Sequence, residues 1–547
     1  MSTSSEAAGP LSTPLIEQTI SANLAQTVAA HGDREALVVR HQGIRWTYAE
    51  LAERIDELAK GLVARGFVKG DRVGIWAPNC AEWVLVQYAT ARIGVILVNI
   101  NPAYRTHEVQ YALNQSGCKG LVSATTFKTS DYVAMIDEVR PELPALEQVV
   151  YIGTDDWSGL LTAGADVTVD QLDAISAGLD HNDPINIQYT SGTTGYPKGA
   201  TLSHRNILNN AFFVAEGCRY TPDDRVCVPV PFYHCFGMVM GNLGCTTHGS
   251  TIVVPADAFD PVDTLAAVAE ERCTSLYGVP TMFIAMLALP EFESYDLGAL
   301  RTGIMAGSPC PVEVMKQCIE RMNMDEVTIC YGMTETSPVS TQTATDDPID
   351  KRVGSVGRVH PHVEVKIVDP ESGATVERGQ PGEFCTRGYS VMIGYWEDAA
   401  RTAEAIDADG WMHTGDLAEM DVEGYVNIVG RSKDMIIRGG ENVYPREVEE
   451  FLYAHPRIRD VQVVGVPDEK YGEEIMAWIQ TEDGEDLTVA EVKEYCQGRI
   501  AHYKVPRYVA TTAEFPMTVT GKIQKFKLRD QAIEHFGLEA AAGIETA

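Results

Sequence analysis

The sequence predicts an α/β protein, with a large N-terminal domain of α/β layers and a small α+β C-terminal domain. Three observations lead there. Short apolar runs alternate with amphipathic helical patterns from about residue 47 to beyond residue 300, the mark of helices laid on parallel sheets. A string of glycines and hydroxyls, Tyr189-Thr190-Ser191-Gly192-Thr193-Thr194-Gly195-Tyr196-Pro197-Lys198-Gly199, directly follows the strand-forming run Ile185–Tyr189. After Arg431 the texture changes to a compact unit of about a hundred residues, within the usual range for a separate domain. The expected partition is residues 1–430, a joining segment 431–434, and residues 435–547.

Taken in order, residues 1–20 are rich in Ser, Thr and Ala and read as frayed. Thr47 and Glu50 make a capping box, after which Leu51, Ile55, Leu58 and Leu62 recur at helical spacing as far as Gly66. Asp71–Ala77 reads as a strand, Glu82–Ile93 as a helix and Val95–Val98 as a buried strand. Leu202–Asn206 opens a helix behind the glycine-rich string. Gly237, Gly241 and Gly244 recur at helical spacing, which either leaves a groove on one helix face or lets a neighbour pack closely. The apolar run Val327–Cys330 leads into Tyr331-Gly332-Met333-Thr334-Glu335-Thr336. In the C-terminal unit Met435–Ile437 is a strand, and Pro445 starts a helix running to about Ala454. Strands Val461–Val466 and Ile475–Gln480 and a helix Val489–Ile500 follow. Residues beyond Phe536 are Ala-rich and read as loose.

Composition excludes several classes of function. With 547 residues and a formal net charge of −34, the chain lacks the basic face that nucleic acid requires. It is likewise not drawn electrostatically to anionic lipid. Met1–Pro10 has neither a basic n-region nor an apolar h-region, so no secretory leader is expected. Apolar runs such as Gly94–Ile100 are too short for a transmembrane segment. Twelve cysteines without a C-x-x-C pair suit reduced thiols in the cytoplasm. Cys227, Cys235, Cys245 and His248 fall close together, but only the last two have ligand-like spacing. Buried small hydrophobes are the preferred reading over zinc.

Six strings carry chemistry. In the first, glycines let backbone N–H groups approach an anion, hydroxyls donate further, and Lys198 adds a point charge. It is not a Walker A loop, because Pro197 precedes Lys198 and Gly199 follows it. The second, Val228–Gly237, sets His234 among aromatic residues. The third, Met305–Pro309, is a strand-to-loop transition of the kind that places ligands beyond strand ends. In the fourth, Tyr331 offers a flat face, Thr334 a hydroxyl and Glu335 a hard oxygen. The fifth pairs Asp416, able to accept two vicinal hydroxyls, with Arg431, able to add donors. The last sets Lys522 with Lys525, Lys527 and Arg529, a basic cluster in a very acidic chain.

Together the strings resemble the adenylate-forming enzymes, which include acyl-CoA synthetases, non-ribosomal adenylation domains and beetle luciferases. Asp183–Gln188, Gly192–Ser203, Gly430–Tyr444 and Gly521–Arg529 are most similar to medium-chain fatty acid–CoA ligases. The resemblance implies a β-barrel-like part in the large domain and a mobile C-terminal domain. It implies ATP, a fatty acid and coenzyme A as substrates and Mg²⁺ as cofactor, and leaves room for a homodimer. Thr190, Ser191, Gly192, Thr193, Thr194, Gly195 and Lys198 would cradle phosphates. Gly307, Ser308 and Pro309 would contact adenine, together with Tyr331, Gly332, Met333 and Thr334. Asp416 and Arg431 match the ribose pair, and Glu335 the metal-binding glutamate. His234 would lie beside the acyl carboxylate, with Phe236, Gly237, Gly332, Pro338 and Val339 walling the acyl pocket. Gly439 and Gly440 would let a pantetheine arm pass, Lys433 would be the hinge, and Lys522 the catalytic lysine.

The implied reaction has two halves. A carboxylate attacks the α-phosphate of ATP, giving acyl-adenylate and pyrophosphate; the thiol of CoA then attacks the activated carbonyl. Charge collects on phosphate oxygens in the first half, so Lys522, Lys198, Glu335, Thr190 and His234 are the catalytic candidates. Aryl or cinnamate-type acids, long-chain acids, and an enzyme that stops at the adenylate remain open, as does a nucleotide-binding sensor. The glycines after Arg438 favour thioester formation, and the presence of Lys522 and Glu335 speaks against a sensor.

Overall fold

The computed structural model describes residues 3–190, 197–308, 310–431, 434–438, 441–468, 471–482, 484–497, 499–500, 502–518 and 522–538. Ser191, Gly192, Thr193, Thr194, Gly195, Pro309, Lys433, Gly439 and Gly440 lie outside the described residues.

Two large sheets dominate the N-terminal part. Seven strands run in the order Gly394–Tyr395, Lys198–Ser203, Pro184–Thr190, Ile96–Asn99, Arg72–Trp76, Gly120–Ser123 and Gln148–Tyr151. From Pro184–Thr190 to the last of these, every pair is parallel. A nine-stranded sheet has parallel central members Thr251–Val254, Arg225–Cys227, Ser275–Gly278, Thr302–Ala306 and Glu326–Gly332. Helix Ala81–Ile93 buries eleven of its thirteen residues, as an interior helix must. Helix Tyr48–Ala64 opens on the expected capping box. Glu50 N–H donates to Thr47 Oγ1 at 3.2 Å, and Thr47 N–H to Glu50 Oε2 at 2.8 Å. Its Leu51, Ile55, Leu58 and Leu62 join one core with residues of all three large-domain sheets.

The third sheet of the large domain does not close into the β-barrel-like part that the resemblance implies. It is an open five-stranded antiparallel sheet, ordered Glu6–Ala8, Val363–Val368, Gly382–Gly388, Met412–Met420 and Val426–Arg431. Its first strand corrects the reading of residues 1–20 as frayed. Glu6, Ala7 and Ala8 pair with Lys366, Val365 and Glu364, and the Asn209 amide both donates to Ile16 O (2.9 Å) and accepts from Ile16 N–H (2.6 Å). Three residues are too few for a local pattern, so tertiary pairing makes this strand. Phe236–Leu243 is a π-helix, an i→i+5 winding found frequently at functional sites, and it runs on into helix Gly244–His248.

In the C-terminal unit, strands Glu441–Val443, Ile436–Arg438, Gly472–Thr481 and Ile458–Asp468 form a sheet, with Tyr508–Thr511 beside Gly472–Thr481. Val461 and Val463 join a core with helices Pro445–Tyr453 and Val489–Cys496, while Val464 and Val466 pack with helix Lys525–Phe536. Strand alternation thus supplies two cores from one sheet. The helix expected to reach Ile500 ends at Cys496. All twelve cysteines are free and buried. Cys227, Cys235, Cys245 and His248 do not converge as ligands; His248 pairs with Glu216 at 2.8 Å instead. Among the described residues, no helix is long and apolar enough to cross a membrane.

Two core histidines make stability pH-dependent. His204 and His360 are 0% and 4% exposed, and burial lowers each pKa to about 3. The unfolded chain binds protons that the folded one refuses, so their contribution is complete above pH 6.5 and declines on acidification. Between pH 7.5 and pH 5 each should remove about 2 kcal/mol of unfolding free energy. Denaturant titrations at the two pH values measure the loss, and unchanged stability would refute it.

Candidate active site

The hairpin of strands Pro184–Thr190 and Lys198–Ser203 brings Thr190 directly opposite Lys198. Beyond it stands Glu335, 4% exposed, on the short turn Thr334–Thr336. Its Oε1 accepts from Tyr395 Oη at 2.8 Å and from Thr190 Oγ1 at 3.4 Å. The Lys198 ammonium lies 4.9 Å from the centre of the Tyr395 ring. Phosphate-loop and hexapeptide candidates are therefore neighbours, joined through a tyrosine that raised no expectation in the sequence. Tyr395 is held there because Gly394–Tyr395 adds as an edge strand to Lys198–Ser203. Burial and the Glu335 carboxylate both raise its pKa, keeping the hydroxyl protonated as a donor.

Gly307 and Ser308 follow strand Thr302–Ala306, one strand away from Tyr331 in the same sheet. Tyr331 Oη donates to Asp416 Oδ2 at 2.8 Å, and its ring meets Phe384 edge-on. A bulge aims Asp416. Cys385 pairs with His413 and Glu383 with Leu417, so two steps on one strand face four on the other. Thr414, Gly415 and Asp416 face the single residue Phe384 and leave this ladder, as bulges beside active sites do. Arg431 pairs in register with Asp416 on the next strand.

His234 sits just before the π-helix, where its Nδ1 accepts from Phe236 N–H at 3.1 Å. Burial, reinforced by the charge of Lys522, lowers its pKa to about 3. The imidazole is therefore neutral, and Nε2 carries its proton. Phe236 stacks on Tyr277 with ring centres 5.5 Å apart. Gly332 pairs with Val339, and a Cβ on it would come 1.7 Å from Pro338 O, so only glycine fits. Val339 is held by the Asn210 amide, which accepts its N–H at 3.0 Å and donates to its carbonyl at 2.8 Å.

Gly237 and Gly241 do not open a groove in the direction a side chain would take. A Cβ would meet Pro231 O at 2.4 Å from Gly237, and Val228 Cγ1 at 2.9 Å from Gly241. Close packing is their role on that side. Gly241→Leu should therefore lower stability by about 1–3 kcal/mol through overpacking. Thermal melts and an acid panel test this; a selective loss of long acids would instead place Gly241 on the acyl wall.

Lys522 reaches this centre from the C-terminal unit, and its charge is felt at both His234 and Cys235. Its amide donates to Thr518 Oγ1 (3.0 Å) and its carbonyl accepts from Thr518 N–H (2.7 Å). Two other members of the basic cluster are engaged elsewhere. Arg529 pairs with Glu473 at 3.1 Å, and Lys525 Nζ donates to Glu449 Oε1 (2.6 Å) and Val463 O (3.0 Å). Glu449 Oε1 also accepts from Val463 N–H at 2.8 Å, so one buried carboxylate ties the approach to Lys522 onto the sheet. Arg446 Nη1 donates to Ile428 O at 2.9 Å, linking the C-terminal unit to the large domain.

The sequence reading missed Tyr395, Asn210 and Glu449. An aromatic pair after glycine, a mid-helix asparagine and a glutamate on an amphipathic helix gave no distinguishing signal. Known proteins share the fold and much of the sequence. The family model for the AMP-binding enzyme matches residues 24–396, and that for the AMP-binding enzyme C-terminal domain matches residues 447–522. A Bacillus subtilis (strain 168) protein described as an acyl-CoA synthetase, YngI, is 50% identical over 96% of this chain and 99% of its own. The mitochondrial medium-chain acyl-CoA ligase ACSF2 of Bos taurus is 46% identical over 96% of this chain and 89% of its own. ATP-bound MatB from Rhodopseudomonas palustris superposes with a TM-score of 0.83 at 31% identity, over 95% of this chain and 100% of its own.

Proposed function

Because the chain belongs to the AMP-binding enzyme family and is an AMP-forming acid–CoA ligase, we propose that its acid is a medium-chain fatty acid, activated at the centre where Lys522 meets His234. The observation that carries the reading is that buried Glu335 accepts from both Tyr395 and Thr190, with Thr190 directly opposite Lys198, so the phosphate-loop and metal-binding candidates form one centre. One carboxylate oxygen of the acid attacks the α-phosphorus of ATP, and pyrophosphate leaves with the electrons of the broken P–O bond. His234 Nε2–H is the donor that orients the acid, and Lys522 offsets charge growing on the α-phosphate oxygens. Lys198 and the Thr190 hydroxyl hold the departing phosphates, while Tyr331 and Asp416 receive adenine and ribose. In the second half the thiol of CoA attacks the acyl carbon, its proton passes to water, and AMP departs.

Mg²⁺ fits at Glu335. This buried carboxylate spends Oε1 on Tyr395 and Thr190, whereas Oε2 accepts from none of the described residues. Bound there, the ion would neutralise charge on phosphate oxygens. Twelve free, buried thiols support a reducing compartment such as the cytoplasm. ATP–pyrophosphate exchange with octanoate, followed by thioester formation with acids from acetate to palmitate plus cinnamate, tests the substrate class. A maximum at cinnamate or palmitate would overturn it.

Lys433 is the proposed hinge between residues 1–430 and 435–547. One lysine cannot stand at the α-phosphate and also clear a path for the thiol unless the small domain turns, and hinges sit at such element ends. Proline fixes φ near −65°. Lys433→Pro should keep acyl-adenylate formation and lose most thioester formation, whereas Lys433→Ala should keep both. A proline variant with wild-type thioester rates would end the hinge proposal.

A further inference from the structure

Away from the centre just described, one face of the five-stranded sheet gathers three kinds of metal ligand. Glu383 and Cys385 stand two residues apart on strand Gly382–Gly388, and His413 lies directly across from Cys385. Their ligand atoms all fall within 4.8 Å of one another. Cys385 Sγ is 3.5 Å from His413 Nδ1, and that nitrogen is 2.9 Å from Glu383 Oε2. In a tetrahedral site with metal–sulfur bonds near 2.3 Å and metal–nitrogen and metal–oxygen bonds near 2.0–2.1 Å, those edges would be about 3.6 and 3.4 Å. The first already matches, and the second needs an opening of about half an ångström.

A histidine–glutamate ion pair would account for the 2.9 Å contact alone. It would not call for a buried thiol on the same nitrogen, nor for a carboxylate behind the ring. Yet Asp407 Oδ2 stands 3.6 Å from His413 Nε2, while Asp407 Oδ1 is held by the N–H groups of Asp409 and Trp411. A carboxylate at the far nitrogen is the usual outer support of a metal-bound histidine. Lys366, opposite Cys385 on the neighbouring strand, opposes a cation, but its ammonium is drawn over the Trp411 ring at 4.4 Å. A thiolate and a carboxylate together outweigh that single charge.

We propose that Cys385 Sγ, His413 Nδ1 and Glu383 Oε2 bind a divalent transition ion of the zinc class, with water in the fourth position. The metal–thiolate bond forms as the thiol proton leaves to solvent, and no oxidation state changes. Glu383 Oε1 accepts from Gly415 N–H at 3.1 Å, and can keep that bond while Oε2 turns to the metal. The ion then pins the Thr414–Asp416 bulge. On the reading of Asp416 as the ribose ligand, loading tightens ATP binding.

The test uses the full-length, tag-free protein, dialysed against chelator and titrated with Co²⁺. The expected result is one equivalent of cobalt with a thiolate-to-cobalt charge-transfer band, bleached by Zn²⁺ and lost in Cys385→Ser. Asp407→Asn, which leaves all three ligands in place, should weaken cobalt binding by roughly 10–100-fold. No band in the wild type, or an unchanged band in Cys385→Ser, would overturn the site. A KM for ATP that is the same with and without stoichiometric Zn²⁺ would overturn the clamp while leaving the spectroscopic result standing.

Discussion

Replacing Lys522 by alanine is expected to slow acyl-adenylate formation by roughly a hundred- to a thousand-fold, about 2.7–4 kcal/mol, on the scale of a lost oxyanion donor. The side chain is half-buried and belongs to neither hydrophobic core of the C-terminal unit, so its removal opens no core cavity. Thr518 still binds the backbone of residue 522 twice, which keeps the local path of the chain. Thioester formation from supplied acyl-adenylate should run near the wild-type rate, because on the hinge proposal the small domain has turned Lys522 away from the phosphate by that step. Single-turnover rates of the two halves make the measurement. Equal slowing of both would refute the division of labour.

Lys525→Met should act differently, through the fold of the C-terminal unit. The Glu449 side chain is 6% exposed and keeps its position by accepting from Lys525 and from Val463 N–H. Removing the cation alone leaves a buried carboxylate without its counter-charge, which typically destabilises by about 3–5 kcal/mol. Amide exchange in strands Ile458–Asp468 and Gly472–Thr481 should accelerate accordingly, and adenylation should fall with it as Lys522 loses its footing. Lys525→Met combined with Glu449→Leu removes both charges and should restore most of the protection, since apolar replacement of a whole buried pair is often neutral. Exchange in the single variant no faster than in the parent would show that the pair holds nothing.

The layers of the fold were legible because period-two and period-3.6 patterns are local. The capping box at Thr47 and Glu50 appears as written, and strands Arg72–Trp76 and Ile96–Asn99 lie within a residue of their expected ends. What escaped depends on contacts between distant residues. A three-residue strand at Glu6–Ala8 exists only because Val363–Val368 offers it an edge. Tyr395 reaches Glu335 across sixty positions of sequence, through an edge strand too short to show alternation. The spacing of Gly237, Gly241 and Gly244 was correct as helical periodicity but silent about the neighbour, and Pro231 and Val228 turned out to fill the space. Lys522 and Lys525 look alike in a basic cluster; only burial beside Glu449 separates a structural cation from one that faces the reacting centre.

The strand Glu6–Ala8 also bears on how the protein behaves in a tube. It caps Val363–Val368, whose outer peptide groups would otherwise be presented to solvent. An uncovered edge is a template on which another chain can add a strand. Shortened versions that begin after Ala8 would therefore keep every residue of the catalytic centre and still become sticky, forming soluble aggregates at concentrations the longer chain tolerates.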